Sequence, residues 1–313
     1  MPFEKIVIIT QKTQLQELLE RFGTHGQARF YLEHMGASFD EYQAAHDAYM
    51  RAIENLERAL PAELRQQFVE RGFLPNFSFG ERDLVATLGR DGLVVNTAKY
   101  LGSQPILAFN PDRLRVDGIL IPFDVGNAAQ VIRNTIEGKY TLSAISMAKA
   151  ELNDGQVLHA VNDLFIGQRT HLSARYHIRL GDVEEDHSSS GIIVSTGAGS
   201  TGWFRSIVTG ASRVIEGIYE GGDLSAARTE YRFPWDADYL YFSVREPFVS
   251  NLSSAELVFG TIDAGVRLEL TSHMPQNGVI FSDGVEADYL AFNSGAIASI
   301  SLADRKVQLI TGV

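Results

Sequence analysis

Hydrophobic and polar positions follow two successive patterns along the chain, and the first is typical of an α/β protein. Lys5 to Thr10 and Leu84 to Leu88 are short apolar runs that predict buried strands. Thr13 and Gln16 predict a capping box at the start of a helix, and apolar residues at three- and four-residue steps from Tyr42 to Leu60 predict a longer helix. The chain therefore begins with strands that alternate with amphipathic helices.

The same alternation continues as far as Gly138. Ala62 to Arg71 is predicted as a short helix ended by Gly72, Pro105 to Asn110 as a strand, and Val125 to Ile136 as a helix ended by Gly138. The order β, α, α, β, α, β, α predicts a parallel, doubly wound sheet that binds its ligand at the carboxyl ends of the strands.

Beyond Tyr140 the pattern changes to short antiparallel strands. Asn153-Asp154-Gly155 predicts a hairpin, Tyr176 to Leu180 predicts a half-exposed strand, and the polar, glycine-rich stretch Gly217 to Pro234 predicts a mobile excursion. Further strands are predicted at Gly191 to Ser195, Tyr239 to Val244, Glu256 to Phe259, Val266 to Leu270, Gly278 to Phe281, Ala296 to Leu302 and Val307 to Ile310. We expect an α/β domain in residues 1–138 and an all-β antiparallel domain in residues 139–313, with room for the last strands to return to the first domain.

Composition narrows the class of protein. With 313 residues, 45% of them hydrophobic, the chain can bury a large core, and a net charge of −12 without a run of lysine or arginine argues against a nucleic-acid partner. The absence of cysteine excludes disulfides, cysteine-bound zinc and thiol nucleophiles, and the eight histidines show no ligand spacing, so no protein metal site is predicted. No apolar run has membrane length, so we expect a cytoplasmic protein without a membrane partner.

A glycine turn after the strand Leu84 to Leu88 is the first candidate for chemistry. In Gly89-Arg90-Asp91-Gly92, the glycines would let a phosphate approach the backbone and the N–H groups of the following helix. Asp91 would repel a phosphate unless it serves as a proton acceptor or a metal partner. The alternative is a purely structural turn, since such connections are common.

The loop Ser195-Thr196-Gly197-Ala198-Gly199-Ser200-Thr201-Gly202-Trp203 is the second candidate. Its glycines, hydroxyls and indole predict a nucleotide-sized site that offers N–H and O–H donors beside a stacking surface, whereas the alternative is a glycine-rich connection with a half-buried tryptophan. Asn162-Asp163 combines an amide with a carboxylate, which suits ribose hydroxyls, although for this pair alone a turn cap is favoured. Asp283-Gly284 is most simply a hairpin turn.

In this order, the motifs resemble the NAD kinase family, whose members carry a GGDG turn, an Asn-Glu pair, a DG-strand-STPTGSTAY segment and a late DG turn. The corresponding residues are Gly89 to Gly92, Asn162-Asp163, Ser190 to Trp203, and Asp283-Gly284. The resemblance covers the chain from Leu84 onward. The long segment Phe30 to Arg71 is less usual for compact bacterial members of the family.

The resemblance implies an active site between the two domains, and an enzyme that uses Mg²⁺ and transfers the γ-phosphate of ATP, or a phosphate of polyphosphate, to the 2'-hydroxyl of the adenosine ribose of NAD⁺ or NADH. It implies that Asp91 is the general base and that Gly89, Arg90 and Gly92 lie at the donor phosphates. It places the dinucleotide at Asn162, Asp163, Ser195, Thr196, Gly199, Ser200, Thr201, Gly202, Trp203 and Ser206, of which the last four line the adenine pocket. It also implies a homodimer or homotetramer.

Several positions differ from the family pattern. Arg90 replaces a glycine, which affects donor binding, and Asp163 is one methylene shorter than the usual glutamate. Ser190 stands where an aspartate is usual, so NADH or another nucleotide could be the preferred acceptor. Two other functions stay open: a kinase for another small hydroxyl substrate, and a non-catalytic nucleotide-binding regulator with Arg90 in the donor's place. The retained adenine loop argues against the first, and the retained Asp91 argues against the second.

Overall fold

A computed structural model describes residues 3–219 and 224–313, which form parts of two compact units. The first, here called the N-terminal unit, comprises Met1–Ser143 and Gln308–Val313. The second, here called the β unit, comprises Ala144–Val307. The first unit contains a parallel sheet with helices and the second contains antiparallel strands, so the predicted fold class is confirmed.

The N-terminal unit is built on a parallel sheet. Its strands are β1 (Lys5–Thr10), β2 (Arg65–Glu70), β3 (Asp83–Leu88), β4 (Pro105–Asn110) and β5 (Phe123–Asp124), in the order β2-β1-β3-β4-β5. The start of β4 also pairs in parallel with Gln308 and Leu309. Every residue of β3 is buried, as are the apolar residues of β1 and β4, because a parallel sheet in an α/β protein is covered on both faces.

Among the described residues of the N-terminal unit, five α-helices accompany this sheet. They are α1 (Gln14–Phe22), α2 (His25–His34), α3 (Phe39–Ala59), α4 (Asp91–Ala98) and α5 (Ala128–Ile136). The predicted capping box is confirmed, since the Gln16 N–H donates to Thr13 Oγ1 and the Thr13 N–H donates to Gln16 Oε1. The apolar faces of α3 and α5 pack on the strands in one core, to which Leu56, Val131 and Leu107 belong.

The predicted helix Ala62 to Arg71 is wrong. Arg65–Glu70 is the edge strand β2, which pairs with β1 over all six residues, and a 3-10 helix at Arg71–Asn76 follows it. The sequence of β2 is mostly polar, like the exposed face of a helix, because an edge strand exposes most of its side chains. Two further predictions need adjustment: the last two predicted strands form one continuous strand, and the strand expected at Glu256 begins at Phe259.

The β unit contains two antiparallel layers. One comprises β7 (Val157–Ala160), β9 (Ala174–Leu180), β10 (Val183–Ser189) and β14 (Leu268–Ser272), together with parts of β6 (Thr141–Leu152) and β17 (Ile297–Gly312), the two strands that run through both units. The other is β13-β12-β11-β8-β15-β16, formed by β8 (Asp163–Gln168), β11 (Ile192–Ser195), β12 (Tyr239–Val244), β13 (Phe259–Asp263), β15 (Gly278–Ser282) and β16 (Val285–Ala291). A core that includes Ile166, Tyr176 and Phe242 joins them.

The described residues of the β unit include the helices α6 (Trp203–Ile218) and α7 (Ala227–Glu230). Both enter the stretch Gly217 to Pro234 that was predicted as a mobile excursion, and residues 220–223 of that stretch lie outside the described residues. Within residues 3–219 and 224–313, no helix is both long enough and apolar enough to cross a membrane.

Candidate functional site

The glycine turn of the N-terminal unit lies at the carboxyl end of β3. The Gly89 N–H donates to the Phe109 carbonyl at 3.3 Å, and α4 begins only two residues later, at Asp91. Arg90 has an extended backbone, with φ −95° and ψ 169°. An arginine can adopt this conformation without strain, so the turn does not need the glycine that the family pattern has there. The exposed Arg90 guanidinium has no partner in the described part of the chain.

Two backbone N–H groups hold the side chain of Asp91. The Ile119 N–H donates to Oδ2 at 3.0 Å, and the Leu120 N–H donates to Oδ1 at 2.9 Å. These contacts fix the orientation of the carboxylate. An ionised carboxylate has about four acceptor positions, so capacity for a substrate hydroxyl remains.

The segment that donates to Asp91 follows β4 and is itself ordered by hydrogen bonds. Asn110 Nδ2 donates to the Val116 carbonyl at 2.8 Å, and Asn110 Oδ1 accepts from the Asp112 N–H at 2.9 Å. Gly118 then turns the chain with a φ of +64°, where a side chain would be strained. The sequence analysis did not connect this segment with Asp91.

A cavity of about 500 Å³ opens beside the turn, inside the N-terminal unit. It is formed by the residues that follow the carboxyl ends of β1, β2, β3 and β4, and by α1 and α3. Four cationic residues line it, Lys12, Arg71, Arg90 and Arg115. The ligand position predicted from the parallel strand order therefore coincides with a real cavity in this unit.

In the β unit, Asp283 holds the corner at Asn162-Asp163. Its carboxylate accepts the N–H of Val161 at 3.1 Å, that of Asn162 at 2.7 Å and that of Asp163 at 3.3 Å. The Asp283 N–H in turn donates to the Asp163 carbonyl at 3.0 Å. One carboxylate thus orders three successive residues, and two of them, Asn162 and Asp163, form the predicted ribose site.

The predicted hairpin at Asp283-Gly284 is confirmed, because it joins the antiparallel pair β15 and β16. Asp283 has a φ of +55°, a left-handed conformation that aspartate tolerates better than most residues. The turn has the further role of holding Asn162-Asp163, which the sequence analysis missed.

The loop after β11 packs against the same corner. The Thr196 N–H donates to the Asn162 carbonyl at 2.9 Å. A Cβ on Gly199 would lie 2.0 Å from that carbonyl oxygen, and one on Gly197 would lie 1.9 Å from the Pro234 oxygen. These two glycines are therefore explained by the close approach of the loop to its neighbours.

The hydroxyls of this loop donate to backbone carbonyls of the β unit. Ser200 Oγ donates to Gly197 at 2.7 Å, Ser195 Oγ to Thr196 at 3.0 Å, and Thr196 Oγ1 to Val161. Ser195, Thr196 and Ser200 are at most 1% exposed. They shape the loop, whereas the sequence had suggested donors facing a ligand. Thr201, with a long contact of 3.4 Å to Ala198, is half-buried, and Gly202 is exposed.

Trp203 begins α6 and lies in an aromatic cluster. Its indole stacks on Phe165, with ring centroids 5.8 Å apart and planes 2° from parallel, and the Arg245 guanidinium lies 5.4 Å from the indole centroid. These groups line a small cavity of about 180 Å³. Ser206 is exposed in the first turn of the same helix. The structure thus gives Trp203 two contacts that the sequence did not indicate.

Asp163 is the most perturbed carboxyl group of the described site residues. It is 7% exposed, and burial together with the nearby charge of Asp283 raises its pKa to about 7, from an ordinary value of 3.8. Near neutral pH the side chain can therefore accept or donate a proton, which distinguishes it from the ionised glutamate that a solvated site would hold.

We expect Asp163 to make the stability of the protein depend on pH. Between about pH 4 and pH 7 the folded protein retains a proton that the unfolded chain has released, so stability falls as the pH rises through this window and levels off above it. An asparagine at this position does not titrate, so in Asp163→Asn this pH-dependent change in the free energy of unfolding, up to about 4 kcal/mol, should disappear. Urea unfolding of both proteins at pH 5 and pH 8 measures the difference, and equal pH dependence in the two would contradict the assignment.

Comparisons with known proteins find relatives of the family that the sequence motifs resemble. No family model matches the chain. An NAD kinase from Clostridium tetani is 30% identical over 128 residues, which are 39% of this chain and 46% of that protein. The chain spans less than half the length of the first curated relatives it matches.

Two solved structures share the fold. Yeast NADH kinase complexed with NADH has a TM-score of 0.58 over 99% of this chain and 84% of that one, at 15% identity. An NAD kinase from Archaeoglobus fulgidus in complex with ATP has a TM-score of 0.56 over 98% and 94%, also at 15% identity. The chain thus shares its overall fold with these two proteins. With the sequence matches, this supports a divergent member of the NAD kinase family.

Proposed function

We propose that this chain is an NAD(H) kinase, which transfers a phosphoryl group from a donor to the 2'-hydroxyl of the adenosine ribose of NAD⁺ or NADH. The observation that carries the proposal is the Asp91 carboxylate, which two N–H groups hold at the carboxyl end of β3, next in sequence to Arg90, one of the four cationic residues that line the cavity. A fixed carboxylate is what a poorly nucleophilic ribose hydroxyl requires.

The proposed reaction uses Asp91 as the proton acceptor. The 2'-oxygen attacks the terminal phosphorus of the donor, its proton passes to Asp91, and the bond from phosphorus to the bridging oxygen breaks as the shortened donor leaves. Positioning and charge neutralisation supply most of the rate in such transfers. Asp91 then returns its proton to solvent.

Mg²⁺ is proposed as the partner of the donor phosphates, which is how it is commonly held in phosphoryl-transfer sites, and it would neutralise their charge. Among the residues that the structure describes, no three His, Asp or Glu side chains are placed to hold a metal ion. The residue of this chain that would neutralise the donor phosphates is Arg90, because its guanidinium can pair with phosphate oxygens.

In the β unit, we propose that the dinucleotide binds at the corner formed by Asn162, Asp163 and the Ser195 to Gly202 loop. The Asn162 amide is half-buried and so can reach a ribose hydroxyl, and Asp283 orders its backbone. Thr201, Gly202, Trp203 and Ser206 remain the proposed adenine contacts. A homo-oligomer stays a prediction from the family resemblance, and a cytoplasmic location stays a prediction from the hydropathy of the sequence.

The direct test is incubation of the purified protein with NAD⁺ or NADH, Mg²⁺ and one of ATP, GTP or polyphosphate, with products identified by mass spectrometry. A dinucleotide heavier by one phosphoryl group supports the proposal. Binding of NADH without any product, in every donor mixture, would instead favour the non-catalytic regulator. A product with another hydroxyl compound alone would favour the related kinase.

Arg90 distinguishes a remodelled donor site from a blocked one. We expect Arg90→Gly to raise the KM for the donor by about ten-fold with little change in the KM for the dinucleotide, because a charge-assisted hydrogen bond to phosphate is lost. The extended backbone at Arg90 means that glycine relieves no strain. Steady-state kinetics at saturating dinucleotide measure the change, and a gain of activity would show that Arg90 blocks the site.

A further inference from the structure

Three polar side chains of the strand β10 face the interior of the β unit. Glu185, His187 and Ser189 alternate with more exposed positions along the strand, and His187 and Ser189 are each 3% exposed. A buried strand face is normally apolar, because a polar group that leaves water costs free energy unless it finds hydrogen bonds. None of the three belongs to the motifs of the candidate site. The strand therefore carries buried polar groups to which the proposed reaction gives no role.

These side chains form one chain of hydrogen bonds with Tyr176 of β9, and the four residues are here called the β10 network. His187 Nε2 lies 2.5 Å from Glu185 Oε1, and His187 Nδ1 lies 3.3 Å from Tyr176 Oη. Tyr176 Oη lies 2.8 Å from Ser189 Oγ, which accepts the Gly191 N–H at 3.0 Å. One assignment of hydrogens satisfies every member, in which each hydroxyl and the ring N–H donate toward Glu185. The network thus has a hydroxyl end and a carboxylate end.

The two ends of the network hold the two ends of residues 245–258, the segment that joins β12 to β13. At the carboxylate end, Glu185 Oε1 accepts the Leu257 N–H at 2.7 Å. At the hydroxyl end, the backbone of Gly191 is fixed, and its carbonyl accepts the Arg245 N–H at 2.8 Å. Burial alone would raise the pKa of Glu185, but the hydrogen bonds that its carboxylate accepts lower the pKa below the ordinary value. The carboxylate is therefore ionised at neutral pH and is a strong acceptor for this segment.

Arg245 connects this segment with the proposed dinucleotide site. Its guanidinium lies 5.4 Å from the centroid of the Trp203 indole, and both side chains line the cavity of about 180 Å³. Glu246 Oε2 lies 3.6 Å from the same guanidinium. A cation over an indole is attracted to the ring and so restricts its movement. An arginine side chain has many rotamers, so this contact depends on where the backbone of Arg245 is held.

We propose that the β10 network positions Arg245 against Trp203 and thereby sets the affinity of the protein for the dinucleotide. This rests on the proposed contact of adenine with Trp203. The four side chains of the network are positioning residues, because they act through Arg245. A break in the network releases the segment 245–258 from one of its two anchors, so the guanidinium leaves the indole in a fraction of the molecules. The apparent affinity for NADH then falls with that fraction.

The first test breaks the network at its centre by removal of one hydroxyl. Tyr176 is fully buried and phenylalanine keeps its ring, so Tyr176→Phe separates His187 from Ser189 without leaving a large cavity. We expect the dissociation constant for NADH to rise about five-fold, as it would if the ordered state fell to about a fifth of the molecules, with the KM for ATP unchanged.

Ser272→Ala is the matched control. The Ser272 hydroxyl is equally buried, lies opposite Tyr176 on β14 and donates to the Phe292 carbonyl at 2.7 Å, but it is outside the network. Its loss should lower the melting temperature without changing the affinity for NADH. Fluorescence titration with NADH measures the dissociation constants, and thermal melting establishes that each variant folds. An equal loss of affinity in Ser272→Ala and Tyr176→Phe would show general destabilisation and overturn the proposal.

A double-mutant cycle tests whether the network acts through Arg245. Arg245→Gln removes the cation and should weaken NADH binding at least as much as Tyr176→Phe does. The double variant should bind NADH no more weakly than Arg245→Gln alone, because no guanidinium is left to position. His187→Gln keeps a donor toward Glu185 and loses the contact with Tyr176, so it is a second break and should behave in the same way. Losses that multiply in the double variant, or wild-type affinity in folded Tyr176→Phe, would overturn the proposal.

The last test needs no ligand, because it detects the cation at the indole directly. The chain has two tryptophans, and Trp235→Phe leaves Trp203 as the only one. In that background, Arg245→Gln and Tyr176→Phe should shift the emission of Trp203 in the same direction, whereas Ser272→Ala should leave it unchanged. Unchanged emission in Tyr176→Phe would contradict the positioning of Arg245. If wild-type protein yields no NADP(H), or binds no NADH, the proposed function fails, and the emission spectra still decide whether the network places Arg245 on the indole.

Discussion

Replacing Asp91 with asparagine is expected to lower the turnover of NADH phosphorylation by roughly 10²- to 10⁴-fold, the usual range for loss of a general base. An amide oxygen cannot take the proton of the ribose hydroxyl. The structure adds a second effect, because the amide NH₂ would face either the Ile119 or the Leu120 N–H, both of which now donate to the carboxylate. The segment after β4 should therefore shift in the variant as well.

Asp117→Asn is the matched control for this prediction. Asp117 is an exposed carboxylate of the same segment, and no hydrogen bond to its side chain is found in the described part of the chain. Rapid-quench kinetics measure the rate of phosphoryl transfer in each variant, and titration with NADH measures its binding separately. Wild-type turnover in Asp91→Asn would remove Asp91 from the role of base, whereas an equal loss in both variants would point to disruption of the segment.

Replacing Asp283 with alanine is expected to destabilise the protein by about 3 to 5 kcal/mol and to weaken NADH binding. Three N–H groups, those of Val161, Asn162 and Asp163, would lose their common acceptor, at a cost of about 1 to 3 kcal/mol for each group left buried without a partner. Alanine also tolerates the left-handed backbone of this position less well than aspartate does.

Urea unfolding and NADH fluorescence titration measure the two effects of Asp283→Ala. Asp283→Asn keeps one acceptor oxygen and the backbone preference, so it should recover most of the stability. Asp263→Ala, which removes an exposed aspartate at the end of β13, should change neither quantity. If Asp283→Ala unfolds like wild type, the carboxylate does not hold the corner at Asn162.

Much of the fold could be predicted because it is encoded in local patterns. β1 and β4 have the bounds expected from their apolar runs, and the capping box at Thr13 formed as its residue types indicate. β2 could not be predicted in this way. Arg65–Glu70 has one buried residue, and only its pairing with β1, sixty positions away in register, makes it a strand.

The candidate site shows the same division between local and distant causes. The sequence located the turn at Asp91, but the groups that orient its carboxylate are the backbone N–H groups of Ile119 and Leu120, which any residue type supplies. Asp283 reaches Asn162 because Ser282 pairs with Leu164, a register that composition does not reveal. Likewise, the hydroxyl content of the Ser195 to Thr201 loop did not show that those groups point inward.

The most direct test of the central claim is a mass measurement on two acceptors treated identically with Mg²⁺ and ATP. One is NAD⁺, and the other is its analogue that lacks the 2'-hydroxyl on the adenosine ribose and keeps both hydroxyls of the nicotinamide ribose. The account predicts a product heavier by one phosphoryl group from NAD⁺ and none from the analogue. Phosphorylation of the analogue, or of neither compound while both bind, would contradict it.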